Sequence, residues 1–340
     1  MNVLVSLGTR PEIIRLYYTI KKLRPKHIFW TGQNFSKNLS TELIEDPRFG
    51  GIYNNMYMHD TKEEQEFSKQ FASMLVACTE FMKKINPEKL LILGDTNSSL
   101  AAALAARKLS IPIYHMEAGN RCYDFNSPEE TNRRMIDSIS DVHLCYTKFA
   151  KQNLLSEGVA QNLIHVIGNP MSEFPEFFEN NIEEKNQILV TIHRKENIDY
   201  LSNLKVFFKH LENIHVKLVL HPRYYDYFKT EKLEVIPSVN FSEFVRLQKE
   251  SKVIITDSGT VCEEAAMLKK PCLVIRKTTE RPELLELGST ILGDISNIKN
   301  LEESIDTLLK IDRDWEIPKE YAYQKVSNKV LTIVQGKINK

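Results

Sequence analysis

The chain has 340 residues, 42% of them hydrophobic, which excludes a disordered chain and exceeds what one compact core usually holds, so two domains are expected. Its 45 basic and 45 acidic side chains balance to zero formal charge, leaving no field strong enough to argue for a nucleic-acid backbone or an anionic membrane as partner. The five scattered cysteines have neither the paired spacing of a zinc site nor the density of a disulfide scaffold, and they suit a reducing cytoplasm.

The apolar start, Met1 to Gly8, stops at Thr9-Arg10-Pro11, too short for a signal peptide or a membrane span, and the run Leu100 to Ala106 is also too short to span. A soluble cytoplasmic protein without membrane insertion is therefore expected. Aliphatic and β-branched runs predict strands at Val3–Leu7, His27–Trp30, Lys89–Leu93, Pro112–His115, Val142–Tyr146 and Ile164–Ile167, alternating with stretches of helical period. The clearest helix, Glu63 to Lys84, repeats Phe67, Phe71, Met74, Leu75, Cys78 and Phe81 at threes and fours and ends at Asn86-Pro87. Gly168-Asn169-Pro170 breaks the pattern, and the acidic, Asn-rich stretch Phe174 to Gln187 reads as a linker.

A second series of strands follows at Ile188–Ile192, Lys217–Leu220, Val235–Ile236, Val253–Thr256, Cys272–Ile275 and Thr290–Leu292, and an amphipathic stretch, Tyr321 to Val334, closes the chain. The fold class is α/β: two doubly wound domains, residues 1–170 and 171–318, with residues 319–340 packing back on the first. Ligands of such sheets bind beyond the carboxyl ends of the strands, so the chemistry is expected in a cleft there.

The first polar cluster, Gly8-Thr9-Arg10-Pro11-Glu12, follows a strand and opens a helix, which places Arg10 near backbone N–H groups that favour a phosphate, with Arg15 one turn on. No Gly-x-Gly-x-x-Gly or Walker lysine pattern is present. Asp95, in Gly94-Asp95-Thr96, reads either as a helix N-cap, the commoner job, or as a carboxylate aimed into the cleft. Glu117, Asp124, Glu129 and Glu130 follow, with Arg121 and Arg133 near in sequence; clustered carboxylates can divide into one protonated and one ionised group, as acid–base chemistry requires. A metal held by Asp95, Glu117 and His115 is the rival use, but the spacing does not support it, and no metal or cofactor is expected.

In the second half His193, beside Arg194 and Lys195, is placed for phosphate or leaving-group oxygens, and His221 repeats that logic one strand later. The small residues Ser258, Gly259 and Thr260 open a helix whose N–H groups can approach a diphosphate, and a Glu one turn in, Glu263 or Glu264, can accept ribose hydroxyls. Arg276 and the group Thr278 to Glu283, which includes Arg281, would complete a basic rim.

Taken in order, Gly8-Thr9-Arg10-Pro11-Glu12, Thr31-Gly32-Gln33, Gly94-Asp95-Thr96, Glu117-Ala118-Gly119, Pro128-Glu129-Glu130 with Asn132-Arg133, Gly168-Asn169-Pro170, His193-Arg194 with Glu196-Asn197, Asp257-Ser258-Gly259 and Thr278 to Glu283 resemble the non-hydrolysing UDP-N-acetylglucosamine 2-epimerases. The resemblance implies a GT-B architecture with the active site in the interdomain cleft, usually as a homodimer. It implies UDP held by Ser258, Gly259, Thr260, Glu264 and Arg281, phosphates reached by Arg10 and His193, and acid–base roles for Asp95, Glu117 and Glu129.

The implied reaction eliminates UDP from a UDP-2-acetamido sugar to give a glycal, then adds it back with the proton delivered to the opposite face. It would feed capsule, O-antigen or cell-wall polysaccharide. A hydrolysing epimerase and a GT-B glycosyltransferase are the alternatives within catalysis. Arg15 stands where the simple UDP-N-acetylglucosamine enzymes resemble one another in having Lys, Asn34 where they often show His, and Thr260 where they have a second Gly. Met116 to Asp124 looks more like the branch acting on modified sugars, and Gln33 and Gln65 would be candidates for an allosteric sugar site.

Overall fold

A computed structural model describes residues 2–33, 56–59, 66–179, 182–194, 197, 200–220, 228 and 233–338. The chain divides into two units, Met1–Glu173 with Gln324–Lys340, and Phe174–Tyr323.

Unit 1 runs β1 (Val3–Leu7), α1 (Arg10–Leu23), β2 (His27–Trp30), β3 (Met56–Met58), α2 (Phe67–Ile85), β4 (Lys89–Leu93), α3 (Asn97–Lys108), β5 (Ile113–Met116), α4 (Pro128–Ile139), β6 (Val142–Cys145), α5 (Lys148–Ser156) and β7 (Ile164–Val166). Among the described residues these strands form one parallel sheet in the order β3-β2-β1-β4-β5-β6-β7. β1, β5 and β6 are buried along their whole length and β4 from Leu90 onward, as strands covered by helices on both faces must be. α2 turns Met74, Cys78, Phe81 and Met82 inward and ends where Asn86 takes the left-handed conformation before Pro87. The run Ala101 to Ala106 belongs to α3, which is small-sided enough to pack closely between α2 and α4. The C-terminal helix Val326–Gln335 buries Val326, Val330 and Val334 and lies against α1, and Lys89 Nζ donates to the Val334 and Gly336 carbonyls at its end.

Unit 2 runs β8 (Gln187–Thr191), α6 (Leu201–His210), β9 (His215–Val219), β10 (Leu233–Ile236), α7 (Phe241–Glu250), β11 (Val253–Thr256), α8 (Gly259–Met267), β12 (Cys272–Ile275), α9 (Pro282–Glu286), β13 (Thr290–Gly293) and α10 (Ile298–Lys310). Its parallel sheet has the order β10-β9-β8-β11-β12-β13 among the described residues. Each sheet thus reverses its strand order once, between β1 and β4 in unit 1 and between β8 and β11 in unit 2, and such switch points open the crevice where ligands of doubly wound sheets bind.

Several sequence expectations are corrected. The edge strand β3 is missed because three residues, two of them exposed, carry no alternation to read. β5 starts at Ile113, since Pro112 has no N–H to give and contributes only its carbonyl, to Leu90. The supposed linker is anchored, with Phe174 and Phe177 buried and their rings 4.9 and 6.0 Å from that of Phe241, and its last residue, Gln187, opens β8. The predicted start of the α2 helix at Glu63 lies outside the described residues.

Candidate active site

In unit 1 the turn after β1 is tight, because an added Cβ at Gly8 would lie 1.8 Å from Ser98 Oγ and 2.7 Å from Thr31 Oγ1. Thr9 caps α1 in a capping box with Glu12, Pro11 occupies the first turn, and Arg10 stands half-buried at the start of the helix. Glu12 is itself buried; Oε2 accepts the Gly8 and Thr9 N–H groups at 2.5 and 3.0 Å, and Oε1 accepts the Thr96 hydroxyl at 2.7 Å. One carboxyl therefore ties the β1–α1 turn to the β4–α3 turn. The sequence alone assigns Glu12 no role, although Thr-x-x-Glu is the pattern of a capping box.

Burial pushes Glu12 up to about 7, against the pull of its three donors. A carboxyl raised in the fold is stabilising in its protonated form, so its contribution is full below pH 4.5 and is lost as pH rises through about 7. Glu12→Gln is expected to flatten unfolding stability over that window, removing a slope of about 3 kcal/mol in total, measured by urea unfolding at a series of pH values. An unaltered slope contradicts the assignment.

Asp95 is not the cap of α3. Thr96 holds that position, its hydroxyl accepting the Ser99 N–H, and Asp95 Oδ2 instead meets Arg133 Nη2 at 2.6 Å and Nε at 3.1 Å. Arg133 also gives Nη1 to Glu130 Oε2 at 2.9 Å, so a buried guanidinium sits between two carboxylates. Asn132 Nδ2 donates to the Asp95 carbonyl at 2.9 Å, which draws the first turns of α4 to the Asp95 turn. Glu129 is half-buried one turn before Arg133 on the same face of α4 and accepts the Ser127 hydroxyl at 2.7 Å.

Glu117 follows β5, which pairs with β4, and an added Cβ at Gly94 would come within 3.5 Å of Glu117 Oε2, so the turns carrying Asp95 and Glu117 are neighbours. Glu117 has φ +67, a left-handed conformation that a residue with a Cβ adopts only when its surroundings impose it. Oε2 pairs with Arg15 Nη1 at 2.9 Å and Oε1 accepts from Asn120 Nδ2 at 3.2 Å. Arg15 is 3% exposed at its side chain, with its guanidinium carbon 5.6 Å from the centre of the Tyr146 ring. The fixed fork of a guanidinium suits that slot.

Other polar residues of this region are structural. Asp124 closes a local turn on Asn126, and Glu130 is wholly buried against Cys122, Arg133 and Arg134, so neither joins Asp95 and Glu117. His115 is also wholly buried, with both ring nitrogens engaged by Asp137 and the Gly94 carbonyl, which removes it from the rival metal set; among the described residues no group of three His, Cys, Asp or Glu is arranged to hold a metal. Gln33 Oε1 accepts the Ser98 N–H at 2.9 Å and the Ser98 hydroxyl at 2.8 Å. Asn34, Gln65, Lys195, Glu196 and His221 lie outside the described residues.

In unit 2 the organising group is Asp257, to which the sequence alone likewise assigns no role. It is fully buried after β11, pairs with His193 Nδ1 at 2.8 Å and accepts the Arg194 N–H at 2.8 Å and Asn197 Nδ2 at 3.1 Å. Burial alone would raise this carboxyl; the His193 ring and the Arg194 N–H outweigh burial and hold it below its ordinary value. With Nδ1 donating to Asp257, the His193 ring, 62% exposed, presents Nε2 outward.

Ser258 is the N-cap of α8 and its N–H donates to Thr256 Oγ1 at 3.0 Å, while Gly259 and the half-buried Thr260 form the first turn. A Cβ at Gly259 would lie 2.4 Å from Glu280 Oε1, so this turn runs close against the loop after β12. Glu264 is buried and accepts from Gln248 Nε2 at 2.7 Å. The expected basic rim is not a rim. Arg281 is buried in an ion pair with Glu263, and Arg276 Nη1 meets Glu280 Oε2 at 2.8 Å, because a guanidinium taken out of water is stable only with an anion beside it.

Two doubly wound α/β units in one chain, the first with acids at its strand ends and the second with a carboxylate-held His and a Ser-Gly-Thr helix start, define a two-domain protein of the GT-B class. The comparisons make the class specific: a model of the family described as UDP-N-acetylglucosamine 2-epimerase matches residues 21–335. The chain is 34% identical, over 94% of its length and 95% of that protein's, to the UDP-N-acetylglucosamine 2-epimerase of Methanocaldococcus jannaschii. It is 32% identical, over 92% of its length and 94% of the relative's, to the UDP-2,3-diacetamido-2,3-dideoxy-D-glucuronate 2-epimerase of Pseudomonas aeruginosa. The M. jannaschii epimerase crystallised with UDP-GlcNAc and UDP superposes with a TM-score of 0.87 at 32% identity, covering 98% of this chain and 99% of that one. This chain belongs to the UDP-N-acetylglucosamine 2-epimerase family.

Proposed function

We propose that the chain interconverts a UDP-2-acetamido sugar, UDP-N-acetylglucosamine in the first instance, with its 2-epimer by eliminating UDP and adding it back. The observation that carries this reading is the pair of neighbouring strand-end carboxylates in unit 1, Asp95 and Glu117, each oriented by a buried arginine. The C2 hydrogen of such a sugar is not adjacent to a carbonyl and is inert to a carboxylate in the ground state. As the C1–O bond breaks, the ring becomes oxocarbenium-like and the C2–H acidic. A carboxylate takes the proton, UDP leaves with the electron pair, and a glycal remains. Proton delivery to the opposite face of C2 and attack of the diphosphate oxygen at C1 complete the inversion.

Asp95, Glu117 and Glu129 are the acid–base groups of this proposal, and Arg15 and Arg133 hold the first two in place. His193, set by Asp257, and Arg10 stabilise the departing diphosphate. The α8 start with Ser258, Gly259 and Thr260 receives the nucleotide, and Glu264, Arg276, Arg281 and His221 complete its surroundings. The neutral net charge is consistent with local phosphate recognition. The described cysteines are all free and buried, which supports a reducing cytoplasmic setting, and no described helix is long and apolar enough to cross a membrane. The product would enter surface polysaccharide synthesis, and a homodimer is expected.

Incubation with UDP-N-acetylglucosamine alone is expected to yield a mixture of the two UDP-sugar epimers, with free UDP a minor trace, followed by proton NMR. Free UDP accumulating in step with turnover would assign hydrolysis instead, and no reaction without an acceptor sugar would assign transfer. Turnover of the 2,3-diacetamido uronate in preference to UDP-N-acetylglucosamine would move the substrate to the modified branch.

A further inference from the structure

We infer that Asp137, buried on α4 and touching neither Asp95 nor Glu117, is the positioning residue that fixes both of the turns that carry them. The inference rests on the acid–base reading above. Asp137 Oδ1 meets His115 Nδ1 at 2.8 Å, and His115 Nε2 reaches the Gly94 carbonyl at 2.9 Å, one residue before Asp95. Asp137 Oδ2 accepts the Gly119 N–H at 3.0 Å and Arg121 Nη1 at 2.7 Å, and the same Nη1 reaches the Asn120 carbonyl at 2.7 Å. Asn120 in turn donates its side-chain amide to Glu117. A single carboxylate thus fastens the segment Glu117 to Arg121 at two points and the Gly94-Asp95 turn at a third, through His115.

Those turns need fastening. Gly94, Glu117 and Gly119 have φ +72, +67 and +83, and the carbonyl of Ala150 presses within 2.2 Å of where a Cβ on Gly119 would stand. A left-handed glutamate persists only where neighbouring bonds outweigh its strain. His115, Arg121 and Asp137 are at most 3% exposed, so no water competes for these bonds. Burial raises the Asp137 carboxyl, but His115 and Arg121 bring it down to about 2, so it remains an anion throughout the working pH range.

Asp137→Asn keeps the size and one acceptor oxygen but loses the charge that gathers three donors. In the full-length protein it is expected to lower kcat by about 10–100-fold, the range typical of groups that orient a ligand through a second residue, with KM and the dissociation constant for UDP within about 2-fold of wild type by the same kcat-against-KM logic. Because the effect passes through the acid–base turns, it should not multiply in a Glu117→Gln background. His115→Asn, which keeps a donor towards Asp137 and loses the reach to the Gly94 carbonyl, is expected to show the same split and supplies the test should Asp137→Asn not fold.

Wild-type kcat in folded Asp137→Asn beside an impaired Glu117→Gln overturns the positioning role alone, as does a loss confined to KM. Should Asp137→Asn fail to fold, wild-type kcat in His115→Asn overturns it. Undiminished turnover in Glu117→Gln overturns the acid–base reading beneath it.

Discussion

Glu117→Gln and Asp95→Asn are each expected to lower epimerisation by about 10²–10⁴-fold, the usual contribution of a positioned proton-transfer group, while leaving UDP affinity unchanged. Both replacements preserve shape and one carbonyl oxygen. Arg133 keeps Glu130 as its anion when residue 95 is Asn, and Arg15 can still donate to residue 117 at some cost in stability, so in the folded variants the loss of turnover should fall on proton transfer. Apart from Arg10, the residues proposed to hold UDP belong to unit 2, which is why binding of UDP, measured by calorimetry, should not move. Turnover at the wild-type level in both variants would remove these carboxylates from the chemistry. A parallel loss of UDP affinity would mean that they serve binding instead.

Arg281→Ala should be costly in another way. Read from the sequence, this arginine belongs to a basic rim, and its loss would weaken UDP binding. In the structure its side chain is 3% exposed and paired with Glu263, which is not exposed at all. Removing the cation deprives a buried carboxylate of its charge partner, a change worth about 3–5 kcal/mol of stability. Arg281→Ala is therefore expected to lower the urea midpoint of unit 2 as well as UDP affinity. Arg281→Ala with Glu263→Gln should recover much of the stability because the anion has gone too. Unchanged stability in the single variant would show that the pair contributes nothing to the fold.

The elements that position the chemistry were legible because parallel strands buried on both faces write themselves as short aliphatic runs. Val3–Leu7, His27–Trp30, Lys89–Leu93, Val253–Thr256 and Cys272–Ile275 were read to the residue. Asp95 and Ser258 stand as polar residues just after two of those runs, and Glu117 and His193 just after the runs at Pro112–His115 and Ile188–Ile192, whose bounds the structure shifts by one residue. What the sequence did not carry was partnership. Glu12, Asp137 and Asp257 each gather donors from turns distant along the chain, 84 residues away for Glu12 and Thr96 and 63 for Asp257 and Arg194, and no local pattern announces such a meeting. The same gap makes Arg276 and Arg281 look like a rim and leaves Asp95 open between cap and cleft carboxylate, since burial of a charge is decided by the anion or cation that the fold brings to it. Phe174 and Phe177 were lost in an acidic stretch for a similar reason, their partner Phe241 lying on α7.

Turnover of UDP-N-acetylglucosamine in deuterated water tests the reading most directly. If the nucleotide leaves and a side chain removes the C2 hydrogen, every molecule that inverts must exchange that hydrogen with a group in contact with solvent. Mass spectrometry should then find one deuterium at C2 of the epimer, at a level that follows conversion. Inverted sugar retaining its original hydrogen at C2 would contradict the account.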